Sequence, residues 1–109
     1  MNTLTLNIND KEQLFKAYMP FIKNGGLFVA TPEAYQMGQE VKILLKLLEE
    51  AREWIIPGKV VWMTPLYAQA NRPAGVGVQF DVKTGNDVRA KIESYLGDKL
   101  TSDQPTDTL

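Results

Sequence analysis

Lys23-Asn24-Gly25-Gly26-Leu27-Phe28-Val29 and Ala74-Gly75-Val76-Gly77-Val78-Gln79-Phe80, with Lys59-Val60-Val61-Trp62 between them, decide the reading of this chain. Each is a short apolar run, β-branched or aromatic, opened or broken by glycine, as in strands entered through tight turns. The neighbouring segments extend that reading. Thr3 to Asn9 alternates polar and apolar residues with period two, the pattern of a half-buried strand. Leu27 to Thr31 reads as strand and Pro32 to Gly38 as loop. Trp54-Ile55-Ile56 and Lys59 to Met63 are β-branched and aromatic, and Pro57-Gly58 between them suits a bulge or sharp bend of a strand. Gln69 to Pro73 is a polar loop, and Gly75 to Phe80 returns as strand.

Two stretches read as helical. Asp10 can cap a short turn, with Gln13 as its reciprocal partner, that carries Leu14, Phe15 and Tyr18 until Pro20 stops it. Asn86 to Leu96 sets Val88, Ile92 and Tyr95 or Leu96 on one stripe, with Gly97 placed to end it. Residues 39 to 54 admit two readings. Val41, Leu44, Leu45 and Leu48 stand at i, i+3, i+4 and i+7, which by itself favours an amphipathic helix. As a strand, Val41, Ile43, Leu45 and Leu47 face in and Lys42 and Lys46 face out, leaving Leu44 and Leu48 unaccounted for. Asp98 to Leu109 is polar and marked by Pro105, the composition of a mobile tail.

With 109 residues, 44% of them apolar and 23% charged, the chain fits one ordinary globular domain with a modest core. Its formal charge of −1 gives no general attraction to nucleic acid or anionic lipid, which argues against a small-barrel RNA binder. There is no cysteine and no histidine, so disulfides, thiol chemistry, the usual nucleophile–base pairs and the commonest metal ligand are all excluded. An enzyme is not expected, nor a cofactor or metal. No apolar run is long enough to cross a bilayer and the amino terminus does not have the regions of a signal peptide, so a cytoplasmic protein is expected.

Gly26, Gly75 and Gly77 can let a ligand approach the backbone or can serve bends and turns, and the second reading is preferred. Gly75-x-Gly77 without a third glycine and a following helix is no dinucleotide fingerprint. Tyr18, Met19 and Phe21 flank a proline, a grouping more typical of core than of a site. Alternation leaves open whether Val61 or the pair Val60 and Trp62 points outward. Asn71, Arg72 and Lys59 read as loop solvation, and Glu49, Glu50 and Glu53 as a solvated turn.

The strands quoted at the outset, together with Ala17 to Lys23, Gly38 to Val41, Gly58 to Trp62 with Thr64-Pro65, Gln69 to Phe80, Lys91-Ile92-Glu93 and Ser102 to Thr106, resemble a PilZ domain. The likeness is to the stand-alone members that serve type IV pilus assembly. It implies a mainly β fold: a six-stranded antiparallel barrel over residues 1–97 with a carboxy-terminal helix, then a flexible tail over 98–109, and a strand for residues 39 to 54. Family members that bind cyclic di-GMP carry Arg-x-x-x-Arg and Asp/Asn-x-Ser-x-x-Gly. Aligned on Gly26, this chain has Phe21 for Asp or Asn and Lys23 for Ser, and its first arginine is Arg52. Guanidinium forks grip phosphates and guanine edges, and Phe21 cannot do the work of a short polar side chain.

The resemblance therefore implies an adaptor, monomeric by itself. Its partners would be a pilus extension ATPase of the PilB type and the EAL domain of a FimX-type cyclic di-GMP receptor. The expected contact residues are Tyr18, Met19, Phe21 and Trp62, and in the tail Leu100, Thr101, Ser102, Asp103 and Pro105. On that expectation, replacing Tyr18 or Trp62 by Ala weakens partner binding and leaves the thermal midpoint nearly unchanged. The alternative is a direct cyclic di-GMP receptor using Lys23, Asn24 and Arg72.

Overall fold

A computed structural model describes residues 2–64 and 74–97. The elements are β1 (Asn2–Ile8), α1 (Lys11–Ala17), β2 (Gly26–Ala30), β3 (Glu40–Leu47), β4 (Glu53–Thr64), β5 (Gly75–Phe80) and α2 (Val82–Leu96). One five-stranded sheet has the order β1-β3-β4-β5-β2. β1 lies parallel to β3, from Asn2 opposite Val41 to Ile8 opposite Leu47, and the other three ladders are antiparallel.

This corrects the closed six-stranded antiparallel barrel. Because α1 and β2 intervene between β1 and β3, the chain starts β3 at the same end as β1, and the pairing is parallel. β1 and β2 are the two sheet edges, and no ladder joins them among the described residues, so the sheet curls as an open half-barrel. Four of the five strands present are those read from the residues, and the fifth, β3, is the strand that the resemblance implies for residues 39 to 54. The sixth came from the resemblance and has no counterpart among the described residues.

Residues 40–47 are strand although their spacing also fits a helix, because β3 is paired on both sides and its inward residues Val41, Ile43, Leu45 and Leu47 are fully buried. Tertiary pairing outweighs a short helical pattern here. Leu48 leaves the strand with φ 55 and donates its N–H to the Ile8 carbonyl, so it is a turn residue packed on the core. Leu44 stays on the outer face, opposite Ile55. β4 runs unbroken through Pro57-Gly58 and bulges between Val60 and Trp62.

α1 starts on a reciprocal cap: Asp10 Oδ1 accepts from the Gln13 N–H and Gln13 Oε1 from the Asn9 N–H, both at 2.8 Å. α2 starts at Asp81, whose side chain accepts from the Thr84 N–H, and so runs earlier than the expected Asn86. Gly85 inside it lets the helix lie on Phe80, whose Cβ would be 2.9 Å from an added methyl. Val88, Ile92 and Leu96 close the core over Leu4, Ile8, Leu14, Ile43, Leu45, Ile56 and Val78.

Two carboxylates hold α2 in place. Tyr18 Oη donates to Glu93 Oε2 at 2.6 Å, and Arg89 Nε contacts the same oxygen at 3.2 Å. Tyr95 Oη donates to Glu50 Oε2 at 2.6 Å, Lys91 Nζ lies 3.1 Å from that oxygen, and the Trp54 indole N–H donates to Glu50 Oε1. Glu50 is thus a structural acceptor rather than a solvated turn residue. The Tyr95 hydrogen bond holds the Glu50 carboxyl below its usual range, and the Tyr18 hydrogen bond does so for Glu93. Burial and Glu93 push the Tyr18 hydroxyl up, and the Glu50 contact pushes that of Tyr95 up. Carboxylates with lowered values stabilise the fold above the unfolded value of about 4.3 and lose that contribution as pH falls through their folded values. Tyrosines with raised values stabilise it below about 10 and lose it above. The midpoint is therefore expected to be flat from about pH 5 to 9 and to fall on both sides, with Glu93→Gln flattening the acid limb in a thermal melt series.

Candidate interaction surface

The sheet has two unlike faces. Val29, Val76, Val78 and Leu27 point into the main core. Their neighbours Phe28, Gly75 and Gly77 point to the other face, where Phe28 pairs with Gly77 and Gly77 with Trp62. Phe28 is nonetheless 2% exposed and Met19 fully buried. They fill the space that the glycines leave: a Cβ on Gly75 would lie 2.6 Å from Phe28 Cζ, and one on Gly77 would lie 2.7 Å from Met19 Sδ and 2.8 Å from Trp62 Cβ. Gly75 and Gly77 are glycine because ring and thioether groups rest directly on the backbone there. Neither the outward side of Phe28 nor this role of the glycines is among the readings that local sequence supports. Its trace is the Gly-x-Gly spacing, which puts both glycines on one face of a strand.

The loop after α1 brings Phe21 to this face. Tyr18 bridges to Leu27, Met19 N–H donates to the Gly26 carbonyl at 2.9 Å, Ile22 N–H to Met19, and Gly25 N–H to Ile22 at 2.8 Å. Gly25 takes φ 83 to close that turn. Phe21, at the loop tip, is 48% exposed, and its ring meets Trp62 edge-on with centroids 6.1 Å apart. Trp62 is half-buried, and its indole N–H donates to Thr64 Oγ1 at 3.0 Å. The bulge answers the question that alternation left open: Val60 is buried, and the register shift after it turns Trp62 to the outer face opposite Gly77.

The four residues expected to form one contact patch therefore divide. Exposed Phe21 and half-buried Trp62 form an aromatic pair. Met19 is buried against Gly77, with its sulfur and methyl within 3 Å of where a Cβ would stand. Tyr18 is 1% exposed, belongs to the main core and spends its hydroxyl on Glu93, so its side chain offers a partner almost no area. Leu100, Thr101, Ser102, Asp103 and Pro105 lie outside the described residues, as do Asn71 and Arg72. Lys23 and Asn24 are on the same loop as Phe21. The Lys23 carbonyl accepts from Gln79 Nε2 at 2.9 Å, and Asn24, at φ 70, lines a groove of about 450 Å³ with Lys59, Gln79, Glu40 and Asp81.

The model of the PilZ domain matches residues 2–98. The chain belongs to the PilZ domain family. Among curated proteins no match was found. In this PilZ domain, no group of three or more acidic, cysteine or histidine side chains could hold a metal ion among the described residues, and the sequence has neither cysteine nor histidine. Among the described residues no helix is long and apolar enough to cross a membrane. An apolar edge-to-face pair whose one polar atom is already bonded within the protein suits contact with another apolar surface.

Proposed function

We propose that this PilZ domain is a non-enzymatic adaptor in type IV pilus biogenesis and twitching motility. It contacts a pilus extension ATPase of the PilB type and the EAL domain of a FimX-type receptor, and does not itself bind cyclic di-GMP. The observation that carries this reading is Phe21. It stands where the nucleotide-binding members have Asp or Asn, and it is exposed and set edge-on against Trp62. An aromatic pair with the partners' apolar surface around it is the composition of an interface centre. The tail from Leu100 to Pro105 is the second contact segment of this reading. As a cytoplasmic protein it meets both partners on that side of the membrane.

Phe21→Ala is expected to weaken binding to a purified FimX-type EAL domain or PilB-type ATPase by about tenfold or more, as truncation of a central aromatic does. Its thermal midpoint should move by only a few degrees, since half of the ring is already in water. Unchanged affinity for both partners in Phe21→Ala and Trp62→Ala would overturn the adaptor surface.

A second reading, direct reception of cyclic di-GMP, has the family match itself in its favour, together with the groove beside Asn24 and Lys59. Lys23, Asn24 and Arg72 would then be its ligand residues. Against it, Glu40 and Asp81 also line that groove and repel phosphate.

A further inference from the structure

Leu44, the strand residue that the inward pattern leaves over, lies at the centre of a second surface on the outer face of the sheet. The register places Thr5, Leu44 and Ile55 in one row across β1, β3 and β4. Ile55 is 56% exposed and Leu44 partly so. On one side of that row Lys46 stands opposite Glu53. On the other, Lys42 stands opposite Pro57 and then Glu40 opposite Lys59. None of Lys46, Glu53, Glu40 and Lys59 makes an ion pair among the described residues. All four point from the same face as Leu44 and Ile55.

This pattern is complementary to itself. A two-fold axis parallel to the strands, running between β3 and β4 above the sheet, lays β3 of one copy over β4 of the other with each row kept in register. Lys46 then meets Glu53 of the second copy and Glu53 its Lys46, Glu40 meets Lys59, and Leu44 and Ile55 meet each other at the centre. Any face whose cross-strand neighbours are of opposite charge has this property under that operation, and two-fold association is the commonest closed arrangement. We propose that the outer face of β3 and β4 is a self-association surface, through which two copies pair face to face.

The surface is separate from the aromatic pair. Six residues of β4 lie between Ile55, at its centre, and Trp62, and the seven steps span roughly 23 Å at about 3.3 Å per residue. It is also small: rows from Glu53 to Lys59 over three strands cover roughly 15 by 20 Å, against about 800 Å² per partner in a standard complex. The dimer is therefore weak, and the protein at low concentration is the monomer that the resemblance implies. Local concentration at an assembly carrying several partner subunits is where such a contact acts. This inference does not depend on the identity of those partners.

Sedimentation of the full chain from low micromolar to millimolar concentration tests it. The mean mass of the wild type is expected to rise toward twice the monomer value, less so in high salt. Lys46→Glu and Glu53→Lys should each remain monomeric, because each sets like charges across the axis. Mixing these two variants should restore the dimer, since the carboxylate introduced at position 46 then faces the ammonium introduced at position 53. That rescue does not come from the fold of either chain. A wild type that stays monomeric throughout, or a dimer indifferent to both single reversals, overturns the proposal.

Discussion

Tyr18→Ala is expected to lower the thermal midpoint by about 15 °C or more, while Tyr18→Phe lowers it by only about 5 °C. The side chain is 1% exposed within the main core, so truncation leaves a cavity of ring size, and such changes cost about 3–5 kcal/mol. In a domain of this size each kcal/mol moves the midpoint by roughly 4–8 °C. The phenylalanine variant keeps the ring and loses only the 2.6 Å hydrogen bond to Glu93, a carboxylate that solvent and Arg89 still reach. A circular dichroism melt of the two variants separates the contributions. The core position replaces the expectation that Tyr18→Ala spares stability, and any loss of partner binding in that variant reflects the fold. A midpoint within a few degrees of wild type would contradict the burial of this ring.

Gly77→Val should be nearly as damaging, by about 10 °C or more, from overpacking rather than from a cavity. Its Cβ alone would lie 2.7 Å from Met19 Sδ and 2.8 Å from both Met19 Cε and Trp62 Cβ, and the added methyl groups crowd the same atoms. Met19 is fully buried whereas Trp62 is half-buried, so Trp62 is the group expected to move off Gly77. The variant is therefore expected to lose partner binding with stability, even at temperatures where it is folded. Gly38→Ala is the matched control. Nothing lies within 4 Å of its Cβ, and its φ of 84 costs only about 1–2 kcal/mol for a residue with a side chain. Equal midpoints for Gly77→Val and the wild type would mean that no ring rests on that strand.

Local signals in the chain predict most of the elements. Asp10 and Gln13 announce α1, and the alternation of Thr3 to Asn9 announces β1. What local signals cannot supply is which edge pairs with which. The parallel β1–β3 ladder and the open sheet follow from the route of the chain through α1 and β2, and the sixth strand was borrowed from a family likeness. Leu44 and Leu48 confused helix with strand because one is an exposed outer-face residue and the other a turn residue at positive φ. α2 starts before the expected Asn86, at the Asp81 cap, and Gly85 inside it is the flat contact with Phe80. At the site, Phe21 was visible as an aromatic at a position where a polar residue belongs. Alternation does not decide the face of its partner Trp62, because a bulge breaks the period-two rule at that point. Adjacency in sequence joins Tyr18 and Met19 to Phe21, whereas the loop's hydrogen bonds turn them inward and Phe21 out.

The measurement that tests the central claim most directly is a calorimetric titration of the purified chain with cyclic di-GMP, carried to high micromolar ligand at moderate salt. The adaptor account predicts no heat above dilution, with heat appearing only when a FimX-type EAL domain is present. Stoichiometric heat at low micromolar affinity from the chain alone would contradict it and place the ligand at the loop of Lys23 and Asn24.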